Sequence, residues 1–281
     1  MIIAINYADE TYAVTQKFSS KCALKFGADR VVEYSPKDIS EEFRSAHSDI
    51  FSCSRGAGYW IWKPYIIRDA LNKAKEGDYI VYTDSGSAFV NKVNHLIDAM
   101  EQQKTDIMVF SLTRLEKCYS KRDAFILMDC DEASFYNTPQ RIGGYIIVKK
   151  TRHSCEFIEE YLRYASDIRI VSDMENTQGE ENYEGFVENR HDQTVLSLLS
   201  KKWNLPAFRD PSQFGNNYEE FSEEVIRISP FPQIIESHRR PNLRHFYELE
   251  YSSGIVKTLY IGGCKMRNWL SQKKHTITDK R

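Results

Sequence analysis

The stretch Gly77-Asp78-Tyr79-Ile80-Val81-Tyr82-Thr83-Asp84-Ser85-Gly86 indicates the fold class of this chain of 281 residues. Its middle part is aromatic and β-branched without polar alternation, which is typical of a strand covered on both faces of a sheet. Asp84 follows at the carboxyl end of the strand, the edge at which open α/β sheets bind their ligands. The stretch therefore predicts a central strand that carries a ligand site at its end.

Strand and helix patterns alternate on both sides of this stretch. Apolar runs of strand length recur, and between them apolar residues return every three or four positions, as on one face of a helix. This alternation predicts an α/β fold with a mainly parallel central sheet and helices on both faces. The predicted strands are Ile2–Asn6, Arg30–Tyr34, Tyr79–Thr83, Asp106–Phe110 and 141–148, and the predicted helices are Thr11–Phe26, 64–77, 93–100, 157–162 and Val187–Lys202.

Single residues refine three of these elements. The first helix is predicted to place Val14 on its buried face. Pro64 fits the first position of the next helix, where its missing N–H costs nothing. The polar, acidic segment Ser166–Glu188 is predicted to form a mobile surface loop over one edge of the site.

Composition excludes several classes of protein. The net charge of -2 and a pI near 6.4 argue against general binding of nucleic acid. The first residues form no signal-peptide core, and no stretch has the roughly 18 uncharged apolar residues of a membrane span. Six scattered cysteines without a CxxC pair predict reduced thiols in a cytoplasmic protein. We interpret residues 1–263 as one domain and residues 264–281 as a basic tail.

Asp84 is the first candidate for chemistry. A divalent cation bound with a substrate diphosphate takes only one or two protein carboxylates, and a strand-end Asp supplies one. Alternatively, Asp84 caps a turn or the helix that follows. Gly143 and Gly144 would let the backbone approach the same ligand closely, or they form a plain turn.

Two cations, Arg55 and Lys63, precede the central strand. A lysine at the start of a helix is poorly placed, because the backbone there is already positive, unless it meets an anion. Lys63 is therefore predicted to neutralise a diphosphate leaving group, with a solvated side chain as the alternative. Trp60 and Trp62 belong to the core, or one of them forms a platform for a sugar.

Three segments carry a resemblance to a known family. Gly58-Tyr59-Trp60-Ile61-Trp62-Lys63-Pro64, followed by Tyr82-x-Asp84-Ser85-Gly86, resembles segments of GT-A-fold glycosyltransferases of the bacterial capsule and lipopolysaccharide type. Tyr7-Ala8-Asp9-Glu10-Thr11-Tyr12 is similar to the strand end that grips uridine in the glycogenin and lipopolysaccharide-galactosyltransferase families. The resemblance covers residues 1–240.

The resemblance implies an activity. A hexose or N-acetylhexosamine would pass from a nucleotide-diphosphate sugar, with UDP expected, to a glycan acceptor in bacterial surface polysaccharide synthesis. The implied cofactor is Mn²⁺ or Mg²⁺, although Gly86 stands where the Asp-x-Asp motif of the family has its second acid. The implied metal ligands are Asp84 and His238, with His245 as a spare. The alternative for His238 is an exposed basic turn.

The resemblance also implies roles for individual residues. Asp192, in the polar cluster before an apolar helix, would be the general base of an inverting enzyme. In a retaining enzyme it would bind the donor sugar or support an oxocarbenium-like state. The alternative is that Asn189 or Asp192 only caps the helix. Asp192 and Lys63 are the implied catalytic residues, and the implied sugar-nucleotide site is Tyr7, Ala8, Asp9, Tyr12, Arg55, Lys63, Tyr82, Asp84, Ser85, Gly143, Gly144, His191 and Gln193.

Two other functions stay open. A sugar nucleotidyltransferase shares the layered α/β plan, but it would show a Gly-rich, basic loop after the first strand, where Asn6–Thr11 has none. A non-catalytic subunit that binds a glycan or a partner enzyme also fits the missing second acid. The basic tail predicts peripheral contact with the inner face of the cell membrane, where lipid-linked acceptors reside, or else a solvated tail.

Overall fold

A mixed sheet of seven strands forms the centre of residues 1–239, the part of the chain that this computed structural model describes. The predicted domain boundary at residue 263, the basic tail and the spare ligand His245 lie outside the described residues. The strands are β1 (Ile2–Tyr7), β2 (Arg30–Tyr34), β3 (Tyr79–Thr83), β4 (Ser87–Phe89), β5 (Ile107–Leu115), β6 (Pro139–Arg141), β7 (Tyr145–Lys149), β8 (Ala207–Arg209) and β9 (Ile235–Ser237).

Five α-helices of the described residues have nine or more residues, and the other eight are shorter. No helix of residues 1–239 is long and apolar enough to cross a bilayer. The helices are α1 (Ala13–Lys25), α2 (Glu41–Ala46), α3 (Ser48–Phe51), α4 (Gly56–Tyr59), α5 (Trp62–Lys73), α6 (Asn94–Gln102), α7 (Glu116–Tyr119), α8 (Arg122–Leu127), α9 (Ala133–Tyr136), α10 (Arg152–Ala165), α11 (Ile168–Val171), α12 (Asp192–Lys202) and α13 (Glu223–Arg227).

The order of strands in the sheet is β2-β1-β3-β7-β5-β6, and β8 pairs with β5. β1 runs parallel to β2 and β3, and β5 runs parallel to β8. β7 is antiparallel to both β3 and β5, and β6 is antiparallel to β5. Five of the seven strands therefore share one direction, which confirms the prediction of an α/β fold with a mainly parallel sheet.

Helices cover both faces of the sheet, as neighbouring residues of β1 demonstrate. The side-chain amide of Asn6 donates to the hydroxyl of Ser20 in α1 at 3.1 Å. The ring of Tyr7 stacks on Trp62 of α5, with centroids 3.8 Å apart. Because consecutive side chains of a strand point to opposite faces, α1 and α5 lie on opposite sides. The largest apolar cluster joins α5, α10 and α12 to the sheet.

Two helix starts differ from the prediction. α1 begins at Ala13, and Val14 is 50% exposed, so the prediction of a buried Val14 is wrong. α5 begins at Trp62, which puts Pro64 at the third helical position. The missing N–H of Pro64 still costs no helical bond there, because the N–H groups of the first turn have no partner within the helix.

The start of α12 is also shifted. The helix begins at Asp192 and not at Val187, because His191 has a φ of 56°, outside the range of a right-handed helix. The preceding chain reaches this point in an irregular conformation. The shift makes Asp192 the first helical residue, so its carboxylate lies near the positive end of the helix.

The segment 166–188 is anchored, where the sequence predicts a mobile loop. Within it, Ile170 and Val171 of α11 are buried. The buried carboxylate of Asp123 accepts hydrogen bonds from the backbone N–H of Thr177 at 2.6 Å and of Gln178 at 3.1 Å. These bonds fix the segment against α8.

Candidate functional site

A cleft of about 490 Å³ opens at the carboxyl edge of β1 and β3. The two strands are parallel, so the residues that follow them meet at the same edge. The turn before β7 and the end of β9 complete the wall. The predicted sugar-nucleotide residues that line this cleft are Tyr7, Ala8, Asp9, Tyr12, Tyr82, Asp84, Ser85, Gly144 and Gln193.

A second cavity of about 270 Å³, the side cavity, adjoins the cleft. The two spaces share wall residues that include Trp60, Asp84 and Arg239. Of the predicted residues that lie within residues 1–239, only His238 lines neither space. The predicted residues that line the side cavity are Arg55, Lys63, Asp84, Gly143, Gly144, His191, Asp192 and Gln193.

The floor of the cleft is built from packed side chains of β1 and α5. Trp62 stacks on Tyr7 and donates its indole N–H to the carbonyl of Gly56 at 2.9 Å. Ser85 donates its hydroxyl to the carbonyl of Tyr7 at 2.6 Å. Burial raises the pKa of Tyr7 to about 12. Trp62 therefore belongs to the core, and Ser85 ties the end of β1 to the end of β3.

The short element α4 is a left-handed turn, and it carries Trp60 to the border of the two spaces. Residues 56–60 all have positive φ, between 48° at Tyr59 and 94° at Gly58. A Cβ atom on Gly56 would lie 2.3 Å from the ring of Trp60, so only glycine fits there. For residues with a Cβ atom, the left-handed region costs roughly 1–2 kcal/mol each. Strained backbone of this kind clusters at functional sites.

Asp84 presents its carboxylate to the cleft. Its side chain is 46% exposed, and the hydroxyl of Tyr82 donates to Oδ1 at 2.5 Å. The backbone N–H of Asp84 donates to the carbonyl of Gly144 at 2.9 Å. A Cβ atom on Gly144 would approach Oδ2 of Asp84 to 3.2 Å, so the glycine keeps that oxygen accessible.

Lys63 lines the side cavity, with its side chain 4% exposed. Its Nζ is 2.6 Å from Oδ2 of Asp192 and 3.7 Å from Oδ1 of Asp84. It also donates to the carbonyl of Gly143 at 3.0 Å. Burial alone would lower the pKa of Lys63, but the two carboxylates outweigh it and raise the pKa. Lys63 therefore joins the end of β3, the turn before β7 and the start of α12.

Asp192 is the buried counterpart of Asp84. Its side chain is 4% exposed, and the hydroxyl of Tyr161 donates to Oδ2 at 3.1 Å. Burial raises the pKa of Asp192, although the ammonium of Lys63 opposes the shift. The site therefore contains a carboxylate that is reached from the side cavity and gains a proton more readily than an ordinary aspartate.

His191 packs into an aromatic stack, which the sequence does not indicate. Its ring lies 4.9 Å from that of Tyr59 and 5.4 Å from that of Trp60, measured between centroids. Its Nδ1 is 2.6 Å from the carbonyl of Val171. Burial lowers the pKa of His191. The neutral ring supports Trp60 from behind, and the predicted contact of His191 with a sugar nucleotide stays a prediction.

Arg55 lies at the rim of the side cavity. Its guanidinium is 3.2 Å from the carboxylate of Asp173 and 3.4 Å from that of Glu188. Glu188 also pairs with Arg190 at 3.5 Å. The rim therefore has balanced charge, and the predicted contact of Arg55 with a diphosphate stays a prediction.

The candidate metal ligands fit a metal only in part. Among residues 1–239, no group of three or more His, Cys, Asp and Glu side chains could hold a metal ion. The backbone of His238 donates to the carbonyl of Gly86 at 3.0 Å, while its neighbours Ser237 and Arg239 line the cleft. With Lys63 facing two carboxylates, the ionised centre has a formal charge of -1. Of these groups, the half-exposed carboxylate of Asp84 is the one that a cation could reach, and it would supply a single protein ligand.

Four features of this site have no counterpart among the predictions from sequence. They are the left-handed turn, Arg239 at the border of the two spaces, Tyr161 against Asp192, and a buried chain of amides behind Gly143. The Gly-rich segment Gly56-Ala57-Gly58 is a signal for the first. The others depend on contacts between distant segments, which no local pattern encodes.

No protein-family model matches the sequence, and no curated protein matches it. Solved structures with a similar chain path include the bifunctional glycosyltransferase WbbM in its apo form. Its identity to this chain is 8% and its TM-score is 0.46. The alignment covers 83% of this chain and 45% of WbbM, so the chain spans less than half of that protein.

Two other solved structures are similar over most of their length. The galactosyltransferase LgtC, in complex with donor and acceptor sugar analogues, has 13% identity and a TM-score of 0.47, with 85% of this chain and 87% of LgtC covered. Mouse xyloside xylosyltransferase 1 has 8% identity and a TM-score of 0.46, with 84% and 97% covered. With TM-scores below 0.5, these likenesses establish neither a function nor a ligand for this chain.

Proposed function

We propose that this chain is a GT-A-like glycosyltransferase that moves a hexose or N-acetylhexosamine from a UDP-sugar to a glycan acceptor. One observation carries the proposal. Buried Lys63 joins the strand-end carboxylate of Asp84 to the helix-start carboxylate of Asp192, at the border of two adjoining cavities. Glycosyl transfer needs two neighbouring substrate sites and charged groups fixed beside the reacting atoms.

In this proposal the cleft holds the sugar nucleotide. Its volume of about 490 Å³ lies within the usual range of small-molecule sites. The chain after β1, from Tyr7 to Asp9, would contact the uridine, and the half-exposed Asp84 would lie at the diphosphate. Trp60 offers a flat apolar face at the border, which suits the face of a base or sugar ring.

A divalent cation, Mn²⁺ or Mg²⁺, would be held by Asp84 together with the diphosphate of the substrate. When bound, it would neutralise charge on the leaving diphosphate. Arg239, at the border of the two spaces, is a second source of positive charge. His238 as a further ligand remains part of the proposal.

At the reacting centre we assign different roles to Asp192 and Lys63. Lys63 is a positioning residue that favours the ionised form of Asp192 and links it to Asp84. The Asp192 carboxylate would either take the proton of the acceptor hydroxyl or stabilise positive charge on the transferred sugar. The anomer of the product separates these two roles.

The side cavity is the proposed site of the acceptor. Its charged rim is balanced, because Arg55 and Arg190 face Glu188 and Asp173, so an uncharged glycan suits it. Synthesis of bacterial surface polysaccharide in the cytoplasm, on lipid-linked acceptors, is the setting that we propose. Attachment to the inner face of the membrane through the tail at 264–281 belongs to the same proposal. Co-sedimentation with anionic vesicles, compared with a chain truncated after Gly263, tests it.

A second candidate is a non-catalytic subunit that binds a glycan. Two observations favour it. Asp84 is the single acid where the Asp-x-Asp motif has two, and the described part of the chain contains no group of three or more His, Cys, Asp and Glu side chains that could hold a metal ion. Separate calorimetric titrations with UDP and with Mn²⁺ distinguish the candidates. Absence of nucleotide binding would contradict the proposal of a glycosyltransferase and favour the non-catalytic subunit.

The direct test is a screen of UDP-sugars for hydrolysis in the absence of acceptor. We expect release of UDP from one sugar nucleotide, and NMR of the released sugar identifies the anomer. The Asp84→Asn variant serves as a control that should bind UDP weakly and release it about 10²–10³-fold more slowly. If no UDP-sugar, with or without Mn²⁺, is bound or hydrolysed, the proposed function is wrong.

A further inference from the structure

A buried chain of side-chain amides runs from α7 to the glycine turn of the site. Glu116, fully buried, accepts from Nε2 of Gln140 at 3.0 Å. Oε1 of Gln140 accepts from Nε2 of Gln193 at 2.7 Å. Oε1 of Gln193 then accepts from the backbone N–H of Gly143 at 2.9 Å. The carbonyl of Gly143 in turn holds Lys63.

The direction of this chain is set at both ends. A carboxylate only accepts hydrogen bonds and a backbone N–H only donates, whereas each glutamine can face either way. Glu116 therefore directs the NH₂ group of Gln140 toward itself, together with the carbonyl of Tyr119, which accepts from the same nitrogen at 3.1 Å. The oxygen of Gln140 is then left for Gln193, and the oxygen of Gln193 for Gly143. Both ends demand the same orientation.

Further donors fix Glu116 as an acceptor. The hydroxyl of Ser120 donates to Oε1 at 2.6 Å, and Nζ of Lys201 donates to Oε2 at 2.6 Å. Ser197 also donates to Oε2. All four neighbours of the carboxylate are donors, so a buried ionised Glu116 is satisfied at both oxygens.

We propose that Glu116, Gln140 and Gln193 are positioning residues that fix the hydrogen bond at the N–H of Gly143. The turn at Gly143 is thereby held in place, and its carbonyl keeps Lys63 between Asp84 and Asp192. The structural part of this inference stands without any assumed activity. Its consequence for turnover rests on the proposed function. A Cβ atom on Gly143 would lie 2.8 Å from Cβ of Gln193, so the two residues pack in direct contact.

Glu116→Gln tests the direction with little change of shape. Lys201 would still demand an oxygen, so the new NH₂ group would face Gln140. To avoid two facing NH₂ groups, Gln140 would turn over and give up its bond to the carbonyl of Tyr119. Gln193 would follow, and two donors would meet at Gly143. We expect the amide proton of Gly143 to exchange about tenfold faster, as on loss of one hydrogen bond. Measurement by NMR needs no substrate.

Lys201→Met is the matched control. It breaks the same buried ion pair but leaves Glu116 an acceptor, so the exchange rate at Gly143 should stay near that of the parent. The double variant Glu116→Gln with Gln140→Glu returns an acceptor to Gln193 and should recover most of the protection at Gly143. Recovery should be incomplete, because the carbonyl of Tyr119 loses its bond from Gln140.

Equal exchange rates of the Gly143 amide proton in Glu116→Gln and Lys201→Met would overturn the inference. It would also be overturned if this proton exchanged as fast in the double variant as in Glu116→Gln alone. If Glu116→Gln does not fold, Gln140→Met removes the link and keeps the ion pair of Glu116 and Lys201. It should give the same faster exchange, and unchanged protection would refute the proposal. Turnover should follow the exchange rates. If the exchange pattern appears in a chain that hydrolyses no UDP-sugar, only the proposed function is wrong.

Discussion

Asp84 at the end of β3 and Asp192 at the start of α12 face the same ammonium group in opposite surroundings. The Asp84 side chain is 46% exposed and lies 3.7 Å from Lys63, whereas Asp192 is 4% exposed and lies 2.6 Å from it. Water stabilises the charge of Asp84, but Lys63 and Tyr161 must stabilise that of Asp192. Asp84 is therefore exposed to solvent and to a ligand, whereas Asp192 is held by buried partners at the wall of the side cavity.

Removal of the shared cation should have the largest effect. Lys63→Met leaves Asp192 buried without its counter-charge, which typically costs about 3–5 kcal/mol of the free energy of unfolding. Urea unfolding at neutral pH measures the loss. The control is Lys73→Met on the same helix, whose exposed pair with Asp69 should contribute less than about 1 kcal/mol. Equal losses for both variants would mean that Lys63 stabilises no buried charge.

Neutralising the exposed partner should separate activity from stability. Asp84→Asn is expected to lower turnover by about 10²–10³-fold, because a charge at the diphosphate is lost. The free energy of unfolding should change by less than about 0.5 kcal/mol, since the side chain is half exposed. Steady-state kinetics and urea unfolding of the same preparation check both parts. Near-normal turnover would remove Asp84 from the proposed metal–diphosphate site.

Neutralising the buried partner should give a different kinetic pattern. Asp192→Asn should lower kcat by about 10²-fold and leave the affinity for UDP nearly unchanged, because Asp192 lines the side cavity and not the cleft. Calorimetry with UDP, beside steady-state kinetics, separates the two quantities. If UDP affinity falls and kcat holds, Asp192 is a residue of the sugar-nucleotide site and the contrast with Asp84 disappears.

The smallest expected effect concerns pH. Burial raises the pKa of Asp192, so its carboxylate should take up a proton, and kcat should fall, at a higher pH than for an ordinary aspartate. Tyr161→Phe removes a hydrogen bond to the ionised form and should move this acid limb further toward neutral pH. Profiles of kcat against pH for both proteins measure the shift. An acid limb in the usual range of Asp, unmoved in Tyr161→Phe, would contradict the assignment.

Part of the sheet could be predicted because β1, β3 and β7 are runs of five or six mostly apolar residues. The residue types of β1, β2 and β3 indicate strands. The helices between them are indicated by apolar residues that recur every three or four positions. The reversed direction of β7 could not be predicted, since the turn at Gly143 and Gly144 permits either pairing. β4, β6, β8 and β9 each have three residues, too few for a period to appear.

The candidate site was predictable as a set of residues but not as an arrangement. Asp84, Lys63 and Asp192 each stand out locally, as a strand-end acid, a misplaced cation and a polar helix start. Their burial is not visible in the sequence, and it separates Asp84 from the other two. Glu116 and Gln140 lie in segments without any motif, because their role depends on partners more than 20 residues away.

The left-handed turn at residues 56–60 has a consequence that concerns chirality. Ala57, with φ 51° and ψ 51°, adopts a conformation that is disfavoured for an L-residue and is the ordinary helical one for its mirror image. A semisynthetic chain with D-alanine at this position would keep the same backbone and lose the local strain. At Ala57, in the segment that presents Trp60, the D-enantiomer therefore suits the backbone conformation better than the natural L-enantiomer.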